Sequence, residues 1–141
     1  MKALIQFDGG CRPTNPGNKY GSYSVIVDDV FEISRNRFPL GFGTNNEAEF
    51  ESLLCALRDL RIACAKAGVS TSLIVVQMRT DSTIVEGWIK SHHQFKPKPN
   101  THPRKLAMAT LAGQCLEALK PFQDFTIKWQ SRNWNVVKFG H

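Results

Sequence analysis

Acidic side chains run out at Asp124, and the C-terminal stretch beyond it holds none. A site built from carboxylate side chains must therefore draw on residues 1–124. The four cysteines (Cys11, Cys55, Cys64 and Cys115) form no CxxC pair and stand in no Cys/His cluster with zinc spacing. That spacing argues against a zinc-stapled scaffold. It leaves free thiols in a reducing, cytoplasmic setting as the expectation. No apolar run approaches the roughly 20 residues that span a bilayer, so no membrane association is expected. The opening MKALIQFDGG turns polar too soon for a secretion signal. There is no internal repeat and no low-complexity linker, which leaves residues 1–141 as one domain.

What is present fits a folded, basic protein. Apolar residues make up 42% of the 141 and charged residues 21%, enough to build a core. Lysine and arginine outnumber the acids 18 to 12, giving a net charge of +6 and a pI near 9.4. Such a balance favours a polyanionic partner, because basic patches attract phosphate backbones over long range.

The periodicities read as βββαβααβ. KALIQFD at 2–8 alternates and predicts a strand ending at Asp8. GGCRPTNPGNKYG at 9–21 predicts a turn, and 22–29 and 30–38 predict two more strands in an antiparallel meander. From Asn45 to about Lys66 the period becomes helical, with Phe50, Leu53, Leu54, Leu57, Leu60 and Cys64 on one stripe. Thr44, Asn45 and Asn46 suit the cap, and Gly68 suits the stop. SLIVVQMRTD at 72–81 predicts a buried parallel strand, and 82–92 a short helix capped by Ser82. Residues 93–105 predict an exposed basic loop, 105–120 a further helix and 125–132 the last strand. Trp88 suits the core or a stacking surface, with the core the expected place. The expected fold is a mixed α/β, five-stranded sheet, three antiparallel strands followed by parallel ones, with helices on both faces.

Three short motifs carry chemistry. FDGG at 7–10 closes a strand on Asp8, TNNEAE at 44–49 opens a helix that carries Glu49, and TDS at 80–82 closes a strand on Asp81. Singly, each carboxylate suits a turn, a helix dipole or a cap. Brought together from two strands and a helix, the three suit a pair of hard divalent ions. Such ions take oxygen ligands and clamp the attacking and leaving oxygens of a phosphodiester.

In order and spacing, over nearly the whole chain, these motifs resemble type 1 ribonuclease H, of the ribonuclease H-like superfamily. FDGGCRPTNPG is similar to the family's first-strand motif, TNNEAEFESLLCAL to its helix opening and TDSTIV to its strand-end Asp-Ser motif. The resemblance implies a metal-dependent endoribonuclease that cuts the RNA strand of RNA/DNA hybrids and leaves 5′-phosphomonoester products. It implies two Mg²⁺ or Mn²⁺ ions held by Asp8, Glu49 and Asp81, with Asp8 between them, Glu49 on the leaving-group side and Asp81 on the nucleophile side. Backbone at Gly9, Gly10 and Cys11 is implied to meet RNA, Asn15, Asn45 and Asn46 to bond near the hybrid, and Thr44 to help hold a DNA phosphate. The family's basic protrusion is compressed here into 93–105, where Lys96, Lys98, Arg104 and Lys105 are expected to meet phosphates. A monomer without an obligate protein partner is expected.

One part of the pattern departs. The family ends with Asn-x-x-x-Asp on a C-terminal helix; aligning Asn135 places Phe139 at the acid, so that helix is expected to be shortened or missing. Asn135, His141 as ligand or proton carrier, and the terminal carboxylate are the alternatives for the fourth position. A weakly catalytic module binding hybrid or double-stranded RNA, or a related nuclease for another nucleic-acid structure, fits the same residues.

Overall fold

The computed structural model describes residues 1–92 and 98–140. Lys2–Arg12 forms β1, Gly17–Val27 β2 and Phe31–Gly43 β3, followed by α1 at Asn45–Ala67 and β4 at Val75–Thr80. Thr83–Lys90 forms α2, Pro103–Leu119 α3, Asp124–Trp129 β5 and Arg132–Phe139 α4. The strands make one sheet in the order β3-β2-β1-β4-β5, in which β1 pairs antiparallel with β2 and parallel with β4.

Alternation in β1 decides the two faces. Ala3, Ile5 and Phe7 are fully buried beneath α1, and Val76 and Met78 from β4 and Ile127 from β5 are buried in the same core. The predicted stripe of α1 is the other half of this core: Phe50, Leu53, Leu54, Leu57, Leu60 and Cys64 are all buried. Helix α3 lies against α1, and Trp88 of α2 packs its ring on Phe50 with centroids 5.9 Å apart. The opposite face of β1 carries Leu4, Gln6 and Asp8, and α4 packs on that side of the sheet. Helices thus occupy both faces. The C-terminal helix is present but only eight residues long.

The caps follow sequence logic. Thr44 caps α1 with a reciprocal capping box to Glu47, and Gly68 closes the helix with φ +70°. Ser82 caps α2 by accepting from Val85 N. Several boundaries differ from expectation: β3 runs on to Gly43, β4 starts only at Val75 and β5 ends at Trp129, and two further differences bear on the site. The stretch 9–21 is mostly strand, because the ladder Gly9↔Gly21, Gly10↔Tyr20 and Cys11↔Lys19 satisfies a backbone whose residues read locally as turn. The basic segment ends earlier than predicted: Pro103 starts α3 and His102 caps it through Nδ1, so Arg104 and Lys105 stand in the first helical turn. Among the described residues no helix is long and apolar enough to cross a membrane.

Candidate active site

Parallel pairing of β1 with β4 brings two of the carboxylates together. Gln6 faces Arg79 across that ladder, so two residues further on Asp8 and Asp81 leave neighbouring strand ends side by side. Glu49 comes from α1, and it reaches them because Gly9 has no side chain: a Cβ there would collide with the backbone of Ala48 and Glu49. Ligand oxygens of Asp8, Glu49 and Asp81 all lie within 4.8 Å of one another. Asp8 and Glu49 are 5% and 6% exposed, and Asp81 is half-buried.

Three acids so close oppose one another's ionisation. Burial, then the charges of Asp8 and Asp81, hold the Glu49 carboxyl well above the usual carboxylate range. Partial burial and the Asp8 charge raise Asp81 as well, against the stabilising influence of Glu49, Asn135 and Arg132. Glu49 Oε2 is buried with no hydrogen-bond partner. An unsatisfied buried carboxylate oxygen inside an acidic cluster fits a divalent cation, which takes oxygen donors and removes the repulsion.

The trio forms one wall of a cleft of about 350 Å³ that Gly9, Gly10, Cys11 and Asn45 also line. Asn15 and Asn45 tie its rim. Asn15 Oδ1 accepts from Asn45 N at 3.1 Å, and Asn45 Oδ1 accepts from Cys11 N at 2.9 Å. Thr44 is the half-buried cap just behind this rim, and Asn46 is half-buried beside it. Arg104 is not the free loop cation that its sequence context suggests. Its guanidinium donates to Glu47 Oε1 at 3.1 Å and stacks over Phe42, which brings a positive charge beside Thr44. Lys98 and Lys105 are exposed and do not line the cleft. Lys96 and His141 lie outside the described residues.

Arg12, Tyr20 and Arg132 complete the cleft and were not singled out by sequence reasoning. Cross-strand register carries the signal for Tyr20, which pairs with Gly10; its phenol lies where a Cβ on that glycine would stand. Arg132 follows β5 at once and opens α4, so parallel order could have placed it near Asp81. Phe139 is 6% exposed and, with Lys138, lies over Ser24, Glu32 and Ser34, on the face of the sheet opposite α1.

The N-terminal RNase H domain of the Mycobacterium tuberculosis protein Rv2228c, solved as a fusion with maltose-binding protein, matches this fold with a TM-score of 0.70. Identity is 27%, over 96% of this chain and 92% of that one. In sequence, the bifunctional protein Rv2228c is 34% identical over 82 residues, 55% of this chain. The chain has the fold of RNase H1 proteins, and these matches support an RNase HI-like family. RNase H1 from the archaeon Halobacterium salinarum shares the fold at a TM-score of 0.71 and 24% identity, over 96% and 89% of the two chains. LC11-RNase H1, solved with an RNA/DNA hybrid, gives 0.64 and 24% over the same shares. No protein-family profile matches the chain. The chain spans only 22% of the length of the curated relatives it matches.

Proposed function

We propose that the chain is a divalent-metal-dependent endonuclease that hydrolyses the RNA strand of RNA/DNA hybrids, leaving 5′-phosphate and 3′-hydroxyl ends. The carrying observation is the convergence of Asp8, Glu49 and Asp81 within 4.8 Å around the unsatisfied oxygen of Glu49. The relationship to RNase H1 proteins, one of them solved with a hybrid, supports the substrate class. In this reading residues 1–141 form one catalytic domain that acts as a monomer in the reducing cytoplasm, in keeping with four free cysteines.

Asp8, Glu49 and Asp81 would hold two Mg²⁺ or Mn²⁺ ions. Those ions, when bound, activate a water and stabilise the departing 3′-oxygen. The chain's own residues do the rest. Buried Asp8 and Glu49 exclude bulk water from the back of the cleft and fix the charge at its centre. Gly9 and Gly10 let backbone approach the RNA strand, and Asn45, braced by Asn15, offers side-chain bonds at the rim. Arg132 places a guanidinium beside Asp81, where an incoming phosphate needs a positive contact. Thr44 with Arg104, together with Lys98 and Lys105 and the undescribed Lys96, are assigned to the phosphates of the DNA strand. His141 is assigned to proton transfer or to the fourth coordination position.

The test is cleavage of a labelled hybrid by purified protein in Mg²⁺ or Mn²⁺, with Asp8→Asn and Asp81→Asn as controls. Turnover abolished by both substitutions supports the reading, and no cleavage in either metal sinks it. One observation favours a second reading: Phe139 stands where the family places its fourth acid and is buried. A weakly catalytic module that binds hybrid would show salt-dependent binding without metal-dependent turnover. Competition among hybrid, duplex DNA and branched DNA separates a nuclease for another structure.

A further inference from the structure

Hydrogen bonds from β5 hold the backbone of Asp81, and a buried amide of α4 stands beside its side chain. The indole Nε1 of Trp129 donates to the Asp81 carbonyl at 3.0 Å, and Gln130 N donates to Thr80 O at 2.7 Å, so the backbone that presents Asp81 is held from β5. That buried amide belongs to Asn135. Asn135 is fully buried, and its Oδ1 accepts from Gln130 Nε2 at 3.0 Å. That bond commits the amide. With Oδ1 turned to Gln130, Nδ2 is the atom left for Asp81, and it is buried with its own hydrogen bond still to make. A carboxylate only accepts, so an amide nitrogen suits Asp81 and an amide oxygen would repel it. The far end of α4 is fixed independently: Phe139 is buried and Arg37 Nη2 donates to Gly140 O at 2.7 Å.

We propose that Asn135 is a positioning donor that holds the Asp81 carboxylate, not an ion ligand, and that Gln130 sets the orientation of its amide. The inference rests on the reading of Asp8, Glu49 and Asp81 as the ion-holding set. It removes Asn135 from the alternatives for a fourth ligand. The stretch from Trp129 to Asn135 becomes a brace for Asp81 on a helix whose usual acid position is occupied by an anchor.

The deciding variant is Gln130→Met, which keeps length and removes the donor. Mn²⁺ affinity is measured by calorimetry on the full chain without nucleic acid. The donor role predicts a Kd raised about tenfold or more, the usual effect of losing a partner that orients a metal ligand. Asn135→Ala should weaken binding to a similar degree. A ligand role for Asn135 predicts the opposite sign for Gln130→Met, because Oδ1 is released to coordinate. In turnover, the variant should lose kcat at limiting Mn²⁺ and regain it in excess, with the hybrid KM unchanged. In the wild type, the Asn135 side-chain amide protons should show nuclear Overhauser contacts to the Asp81 methylene and move downfield on adding Mg²⁺. A Gln130→Met protein with a lowered melting temperature and unchanged Kd has lost only packing, and that result overturns the proposal. So does a tightened Kd. Failure of the wild type to bind Mn²⁺, or binding indifferent to Asp8→Asn, overturns the ion site itself and this role with it.

Discussion

Glu49→Gln should stabilise the metal-free protein at alkaline pH while abolishing cleavage. Two unit charges 4.8 Å apart, the bound on separations in the trio, repel by about 3.5 kcal/mol at an effective dielectric of roughly 20. Glu49 faces two such neighbours and is buried, so without a cation it retains its proton to a raised pH. Below the ordinary glutamate value of about 4.3, folded and unfolded chains both carry that proton. Between that value and the raised one only the folded chain does, so stability must fall as pH rises, by up to about 1.4 kcal/mol per pH unit. Asp81 is raised too and adds a smaller slope of the same sign. Glutamine cannot ionise, so the variant should lose most of the decline. The assay is urea unfolding in chelator at intervals from about pH 5 to pH 9, wild type against variant. Mg²⁺ at a hundred times its Kd should restore about 2.7 kcal/mol to the wild type and flatten its profile. Parallel profiles for the two proteins, or a metal-free stability that climbs with pH, would refute the electrostatic reasoning.

Thr44→Ala removes one half of the capping box on α1 and should lower stability by about 1 kcal/mol, read from the urea midpoint. Gly9→Ala drives a methyl into the Ala48–Glu49 backbone; it should cost roughly 1–3 kcal/mol and reduce cleavage more than hybrid binding, because Glu49 is pushed off the other two carboxylates. Phe139→Asp puts an acid at the position the family pattern calls for, yet the side chain there is buried over β2 and β3. It should lose roughly 3–5 kcal/mol of stability without raising turnover. An activity gain in that variant would show that α4 can turn the position toward the carboxylates.

What could be read from sequence is what local pattern encodes. The stripe of α1, the caps at Thr44, Gly68 and Ser82, and the apolar run of β4 each follow from periodicity or capping chemistry within a few residues. The three carboxylates were legible because each sits at the end of an element, inside a short motif. Partners distant in the chain were not legible. Glu47 and Arg104 stand 57 positions apart, and nothing in RKL or NNE announces that they meet. The strand character of Gly9–Arg12 and Gly17–Gly21 was hidden for the same reason, since cross-strand pairing overrides residues that favour turns locally. The prolines before α3 read as loop, although Pro103 occupies the first helical position, where its missing N–H does no harm.

The missing acid also changes what α4 has to do. A helix that supplied a carboxylate to the ions would be held partly by them, and its position would follow their occupancy. Here α4 is fixed by a buried aromatic at one end, by Arg37 on its closing carbonyl and by Gln130 on Asn135 near the other. None of these contacts needs a cation. The geometry around Asp81 is therefore set before any ion arrives, and ion binding has only to neutralise three acids already in place. Tightness of the ion site then depends on how well Asp81 is held, more than on how many side chains reach the metal. That is why a glutamine outside the carboxylate trio is the residue whose loss should be felt first in ion affinity.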